Sequence, residues 1–382
     1  MKLLISAELF YPSRLGGPAN TLYWLAKGLV KSGCNVTVIT TDKHIETGKV
    51  ETDRWLQLDG IKIKYCHAGN PIHLNLKLLR HAWKELGDCD VVMLCDMFQR
   101  QIFPTALMAK LRRKPIVWSI RGELFPSALK ENKKKLFYLK CVKSLFVKHC
   151  LFHATSVEEE QCIRKYLGDD ARIVIIPNYM ELPESQSREL VEPPYFLYLG
   201  RIAPIKALDR LIDGVARSKR FVESGYVLKI AGGVEEQFQE YYQQLQSQIE
   251  RLGLQGRVLF IGAVNGTEKY QTYANAHFLF LVSHSENFGN VVIESLSQGT
   301  PVVASTGTPW ESLTDSHAGY WIDNTPEEIA ECIDEILDLD DNTYQLIREN
   351  ALKLGESYDV YKNIDKWQAA LEMSIKQKQS DK

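Results

Sequence analysis

The chain alternates short apolar runs with longer stretches in which apolar residues recur every three or four positions. Runs at 2–7, 35–40, 61–66, 91–95, 116–120 and 173–176 predict strands, and the pattern over 18–31 predicts a helix between the first two. The opening Met1-Lys2-Leu3-Leu4-Ile5-Ser6-Ala7-Glu8 is too short an apolar run for a signal peptide and reads as a strand. After Pro177-Asn178 the periodicity fades through 181–192, where Pro183, Pro193 and Pro194 mark a linker. The alternation then restarts, with strands expected at 195–199, 227–231, 258–262, 278–282 and 301–304. Strand–helix–strand order means parallel sheets, so two such series predict an α/β chain of two doubly wound, Rossmann-like domains. The expected limits are 1–185 and 186–358, followed by a polar helix within 359–382 that could pack on either domain. The cleft between the two domains is then the default expectation for a ligand site.

Composition narrows this picture. The 382 residues are too many for one core and suit two domains, and 45% hydrophobic with 25% charged residues excludes disordered and fibrous classes. No apolar run reaches the ~18 residues of a membrane-spanning helix. Eight cysteines (Cys34, Cys66, Cys89, Cys95, Cys141, Cys150, Cys162, Cys332) form no C-x-x-C pair and no zinc spacing, the pattern of buried thiols in a reducing cytoplasm. The net charge of -2 conceals a division: residues 1–188 carry 29 Lys and Arg against 19 Asp and Glu, and the remainder 17 against 29. Residues 100–148 alone hold 13 basic and 2 acidic residues. A chain so divided suggests domains with different partners, one of them anionic.

Three segments carry candidate chemistry. Pro12-Ser13-Arg14-Leu15-Gly16-Gly17-Pro18 follows the first strand and opens a helix, where paired glycines let backbone approach a ligand and helix-start amides favour anions. A tight strand-to-helix turn is the plain alternative. The segment is neither G-x-G-x-x-G nor a Walker loop, so nicotinamide cofactors and NTP hydrolysis lose support. Leu199-Gly200-Arg201-Ile202-Ala203-Pro204-Ile205-Lys206 places a glycine and two cations at a strand end, a set able to neutralise a diphosphate, or else two solvated surface charges. Ser283-His284-Ser285-Glu286-Asn287-Phe288-Gly289-Asn290-Val291-Val292-Ile293-Glu294 follows another strand end. Gly289, Asn290 and Val291 would start a helix there, offering a second phosphate site. Eight helical positions would set Glu286 and Glu294 ~12 Å apart, beyond the ~5–9.5 Å of paired glycosidase carboxylates. That spacing suits one elongated ligand gripped at two ends; two solvated glutamates are the alternative.

Together with Pro301-Val302-Val303-Ala304-Ser305, these segments resemble the retaining GT-B glycosyltransferases of family 4, in the expected order over about residues 1–360. Pro309-Trp310-Glu311 and Gly319-Tyr320-Trp321 resemble segments of bacterial envelope-polysaccharide members. The resemblance implies a GT-B fold of two Rossmann-like domains facing a cleft, the first acceptor-side, the second holding a nucleotide-sugar donor. It implies a hexosyltransferase-like enzyme that transfers a sugar from a nucleotide diphosphate to an acceptor hydroxyl, in lipopolysaccharide, capsule or other glycan synthesis. No cofactor or divalent metal is expected, and the last helix would cross back to the first domain. Arg201 and Lys206 would hold the diphosphate, Glu286 the donor sugar and Glu294 the ribose, making Arg201, Lys206 and Glu286 the catalytic candidates. Gly16, Gly17, Gly200, Asn287, Phe288, Gly289, Asn290 and Val291 would line the donor site. The sequence departs from the family in three places. Ser119-Ile120-Arg121-Gly122-Glu123 stands where many members carry a histidine, which makes Arg121 the acceptor-side candidate; Ala207 and Tyr179 replace usual glycines.

Several features are set aside. Asp88-Cys89-Asp90 spells a metal-binding D-x-D but immediately precedes a strand and reads as a turn, as does Asp338-Leu339-Asp340-Asp341 between helices. None of the nine histidines sits in a metal-binding pattern, and His284 is a minor donor-contact candidate. The lysine-rich tract 130–148, with apolar residues at 138, 142, 145 and 146, reads either as an ordinary domain helix or as an interfacial helix drawn to an anionic membrane surface. The second reading would put a cytoplasmic protein at the inner membrane face with a glycan or lipid-linked acceptor. Rival functions are a GT-B epimerase or phosphorylase, and a non-catalytic anion- or nucleic-acid-binding protein. No nucleic-acid-binding signature is present, so nucleic acid is not an expected partner.

Overall fold

Strands covered on both faces need no polar alternation, and the all-apolar runs become the middle strands of two sheets. The computed structural model describes residues 1–13, 16–69, 74–130 and 132–380. Met1–Glu181 together with Val360–Lys382 form one unit, and Leu182–Asp359 the other.

The first unit is built on β1 (Lys2–Ser6), β2 (Asn35–Thr41), β3 (Trp55–Leu58), β4 (Ile61–Cys66), β5 (Val91–Cys95), β6 (Ile116–Ser119), β7 (Cys150–Ala154) and β8 (Arg172–Ile175). Their order across the sheet is β3-β4-β2-β1-β5-β6-β7-β8. Every pairing is parallel except β3 with β4. That exception was not expected from the alternation. Its cause is Asp59-Gly60, both at positive φ, which turns the chain back as a tight hairpin. The helix Gly16–Lys31 packs against the last helix, Val360–Ser380, where Gly28 leaves room for Ile364. That last helix also packs Trp367 against His153 of β7 and reaches Tyr179 through Lys366, so it is a structural part of the first unit. Burial pushes the His153 imidazole down to about 3. The neutral ring donates to the Ile176 carbonyl and accepts from Ser119, a satisfied core histidine.

The second unit is built on β9 (Tyr195–Leu199), β10 (Val227–Ala231), β11 (Val258–Gly262), β12 (Leu279–Leu281), β13 (Val302–Ser305) and β14 (Gly319–Ile322). The order is β11-β10-β9-β12-β13-β14, all parallel. β14 was not expected as a strand; its four residues, Gly319-Tyr320-Trp321-Ile322, are half-exposed at the sheet edge. The helix Leu208–Arg217 buries Leu208, Leu211, Ile212 and Val215, one apolar face at helical spacing. It packs on the helix Pro326–Leu337 at Gly214, where an added Cβ would lie 2.4 Å from Ile329. Each sheet has a point at which the chain winds outward on both sides: between β1 and β5 in the first, and between β9 and β12 in the second. Open parallel sheets bind ligands beyond the carboxyl ends of the strands at such points.

Candidate active site

At the second unit's switch point, the loop after β9 carries Gly200, Arg201 and Lys206, and the loop after β12 carries Ser283 to Gly289. The two loops are joined by backbone, with the His284 amide donating to the Ile205 carbonyl at 2.9 Å. They are joined again by charge. Lys206 Nζ donates to Glu286 Oε1, which also accepts from Ser283 Oγ at 3.3 Å. These two side chains are only 15% and 14% exposed, so neither charge has more than a fringe of water and each depends on the other. Burial, with the Glu286 charge close by, raises the Tyr198 phenol well above its ordinary range, and its hydroxyl donates to the Arg201 carbonyl. Arg201 itself points outward: it is 58% exposed and paired with Glu235 at 3.1 Å. The two cations expected to act alike therefore differ, one nearly enclosed and the other solvated.

Glu294 lies on the helix Asn290–Leu296, with its side chain 8% exposed. Lys269 Nζ sits 2.6 Å from both of its oxygens, and Tyr273 OH donates to Oε2 at 2.9 Å. Sequence reading missed Lys269 and Tyr273. Both lie on one face of the helix Gly266–Asn275, four residues apart, a spacing that could have paired them but named no target. The turn into the Glu294 helix is held by Gly289 at φ 83, where a Cβ would meet Leu281 at 2.8 Å. Trp310, fully buried, donates its ring N–H to the Phe288 carbonyl and packs on the Phe288 ring. Phe288 is thereby a core residue beneath the loop, which places its side chain inside the protein rather than on a donor-lining surface. Asn287, Asn290 and Val291 flank this turn at the sheet's carboxyl edge. His284 is exposed and hydrogen-bonded to Asn324. Gly200 faces Gly232, where a Cβ would sit 1.8 Å from the Gly200 carbonyl oxygen. Ala207 is buried at φ 52, the left-handed conformation that explains the usual glycine there.

In the first unit, Gly16 and Gly17 form the first turn of the helix Gly16–Lys31, while Arg14 and Leu15 lie outside the described residues. A Cβ on Gly17 would meet nothing within 4 Å, so packing inside the chain does not require a glycine there. Beyond β5 and β6 stand Asp96 and Arg121, both non-glycine residues at positive φ. Glu123 accepts from the Met97 and Phe98 amides, and buried Glu159 accepts from the Gly122 and Thr155 amides, clamping the turn that carries Arg121. The Arg121 Nε is buried without a hydrogen-bond partner. Burial first, and then the Glu123 charge, raise the Asp96 carboxyl to about 7; Glu8 adds to the rise, and Arg121 and Lys43 oppose it. The folded chain thus keeps a proton that the unfolded chain loses near pH 4, so stability falls as pH climbs from about 4 through about 7. Asp96→Asn should flatten that slope, narrowing the Tm difference between pH 5 and pH 8 relative to wild type. An unaltered difference would mean that the Asp96 carboxyl titrates in the ordinary carboxylate range.

Asp88 and Asp90 are a turn whose carboxylates bind Lys2, and Asp340 caps the helix Asp341–Glu356. Among the described residues, no three His, Cys, Asp or Glu side chains gather as a metal site, and every cysteine is free. In the lysine-rich helix Lys133–Phe146, Leu139, Val142 and Phe146 are buried and Tyr138 packs against the core. The apolar stripe seen in the sequence is therefore mostly core. Phe137 (70% exposed) and Leu145 remain outside among the lysines. No described helix is long and apolar enough to cross a membrane.

Two family models together match residues 15–354: Glycosyltransferase Family 4 over residues 15–182 and Glycosyl transferases group 1 over residues 182–354. An uncharacterized glycosyltransferase of Methanocaldococcus jannaschii is 25% identical over 88% of this chain and 89% of its own length. A D-inositol 3-phosphate glycosyltransferase of Nocardioides is 27% identical over 49% of this chain, which spans 45% of that relative. Among solved structures, Anabaena Alr3699/HepE in complex with UDP and glucose superposes with a TM-score of 0.75 at 19% identity, covering 98% of this chain and all of that one. Sucrose-phosphate synthase from Thermosynechococcus elongatus gives 0.74 at 17% identity, covering 98% and 97%. At these identities the superpositions speak for the fold.

Proposed function

The chain belongs to glycosyltransferase family 4 and is a GT-B glycosyltransferase, and from that premise we propose that it transfers a sugar, with retention, from a nucleotide diphosphate to an acceptor hydroxyl. The observation that carries this reading is the enclosed Lys206–Glu286 pair at the switch point of the second sheet. A diphosphate arriving there offers Lys206 a second anion, and as Lys206 turns to it Glu286 gains free lone pairs for the donor sugar's hydroxyls. Arg201, half in water, adds a flexible second cation. In the reaction the bond from the sugar's anomeric carbon to the phosphate oxygen breaks, and its electron pair stays on the diphosphate. The acceptor oxygen bonds to that carbon on the same face, and its proton passes to the departing phosphate. The protein's share is to hold the developing negative charge with groups already in place, which needs no metal.

Arg121, with its buried and unpartnered Nε, is proposed as an acceptor-side contact. The complex of Anabaena Alr3699/HepE with UDP and glucose makes UDP-glucose the first donor to try. Supplied with a competent acceptor, the enzyme should release nucleoside diphosphate in step with glycosylated product. Release without any acceptor, or isomerised donor as the product, would favour the phosphorylase or epimerase reading instead.

A glycan or lipid-linked acceptor is part of the same proposal, as is contact with an anionic membrane surface through residues 130–148. Exposed Phe137 and Leu145 between lysines support it, each cation near such a surface adding ~1 kcal/mol. Wild-type protein should float with anionic but not neutral liposomes at low salt, and substituting glutamate for Lys133, Lys134 and Lys140 should abolish flotation. Failure of the wild type to float would leave these lysines as a solvated helix face.

A further inference from the structure

Glu294 poses a physical problem that its place in the motif does not solve. A carboxylate on a side chain 8% exposed is costly to keep ionised unless something answers its charge. Lys269 and Tyr273 do so from a separate element, the helix Gly266–Asn275. The lysine lies 2.6 Å from each oxygen, and the buried tyrosine hydroxyl fixes Oε2 at 2.9 Å. A carboxylate has about four lone-pair positions. The three contacts leave capacity on Oε1, and Lys269, still 21% exposed, marks the side from which solvent or ligand arrives.

The geometry points to Lys269 as a positioning and specificity-determining residue: it holds the Glu294 carboxylate aligned so that it can take the hydroxyls of a ribose, and so distinguishes ribo- from 2′-deoxyribonucleoside diphosphates. This rests on the reading of the second unit as the donor site. Without the lysine, the carboxylate would lose the two contacts that hold it and would be free to rotate away from the sugar, weakening its charge-assisted bonds to the hydroxyls. Tyr273 has the lesser part of fixing rotation, since its hydroxyl leaves the charge in place.

The test uses the full chain and calorimetric titration with uridine, guanosine and adenosine diphosphates, followed by the 2′-deoxy form of whichever binds best. Wild type should prefer the ribo form. Lys269→Met should weaken the ribo form roughly tenfold while changing the 2′-deoxy form much less, so that the preference collapses. Lys269→Gln should behave like Lys269→Met, and Lys269→Arg should restore the preference; their melting temperatures identify any variant that fails to fold. Wild-type discrimination retained in folded Lys269→Met or Lys269→Gln would overturn the inference while leaving the donor-site reading intact. Absence of binding by the wild type to all three diphosphates would overturn both.

Discussion

Lys206→Ala should cut donor affinity and turnover by roughly 30- to 1,000-fold, about 2–4 kcal/mol of lost stabilisation. Two effects add. The diphosphate loses its enclosed cation, and Glu286, only 14% exposed, is left facing the same anion with no counter-charge. The second effect also predicts a lower Tm, because removing one partner of an enclosed pair strands the other. Lys206→Ala combined with Glu286→Gln should recover most of that stability but none of the turnover. Arg201→Ala should cost far less, within about tenfold, because Arg201 is 58% exposed and already screened by water and Glu235. Equal losses from Arg201→Ala and Lys206→Ala would show that exposure in the free protein does not govern their roles.

The two glutamates should separate just as clearly. Glu286→Gln frees Lys206 from its internal partner, so affinity for a free nucleoside diphosphate should hold or rise a few-fold. Turnover should fall roughly a hundredfold or more, because the transferred sugar loses its anionic anchor. Glu294→Gln should do the reverse at the binding step. The ribose loses a charged acceptor and Lys269 loses its partner, so diphosphate affinity should drop about tenfold. Titration of both variants with the same nucleotide distinguishes these outcomes, and equal changes in affinity would remove the assignment of separate ends.

Much of the architecture was readable because central parallel strands leave a plain mark: Val91–Cys95 and Tyr195–Leu199 are unbroken apolar runs. The β3–β4 hairpin was also written in the chain, since Asp59-Gly60 is a strong turn signal, but its exposed four-residue first strand hid it. Spacing and residue type brought Lys206, Glu286 and Glu294 to notice. Lys269 could not be found that way, because a single lysine in a polar helix looks solvated and its partner lies 25 residues on. Phe288 was assigned by its place in the motif, whereas Trp310, 22 residues later, decides that it is core. The helix Lys133–Phe146 shows the same limit: periodicity marked an apolar face, and only the packing of Leu139, Val142 and Phe146 showed that it was already covered.

The central claim is that the second unit's switch point binds a nucleoside diphosphate through Lys206. Calorimetric titration of wild type and Lys206→Ala with uridine, guanosine and adenosine diphosphates tests it most directly. The account predicts saturable binding of at least one diphosphate by the wild type and its loss, or a weakening of at least about thirtyfold, in the variant. Equal affinity in both proteins, or no binding to the wild type, would contradict it.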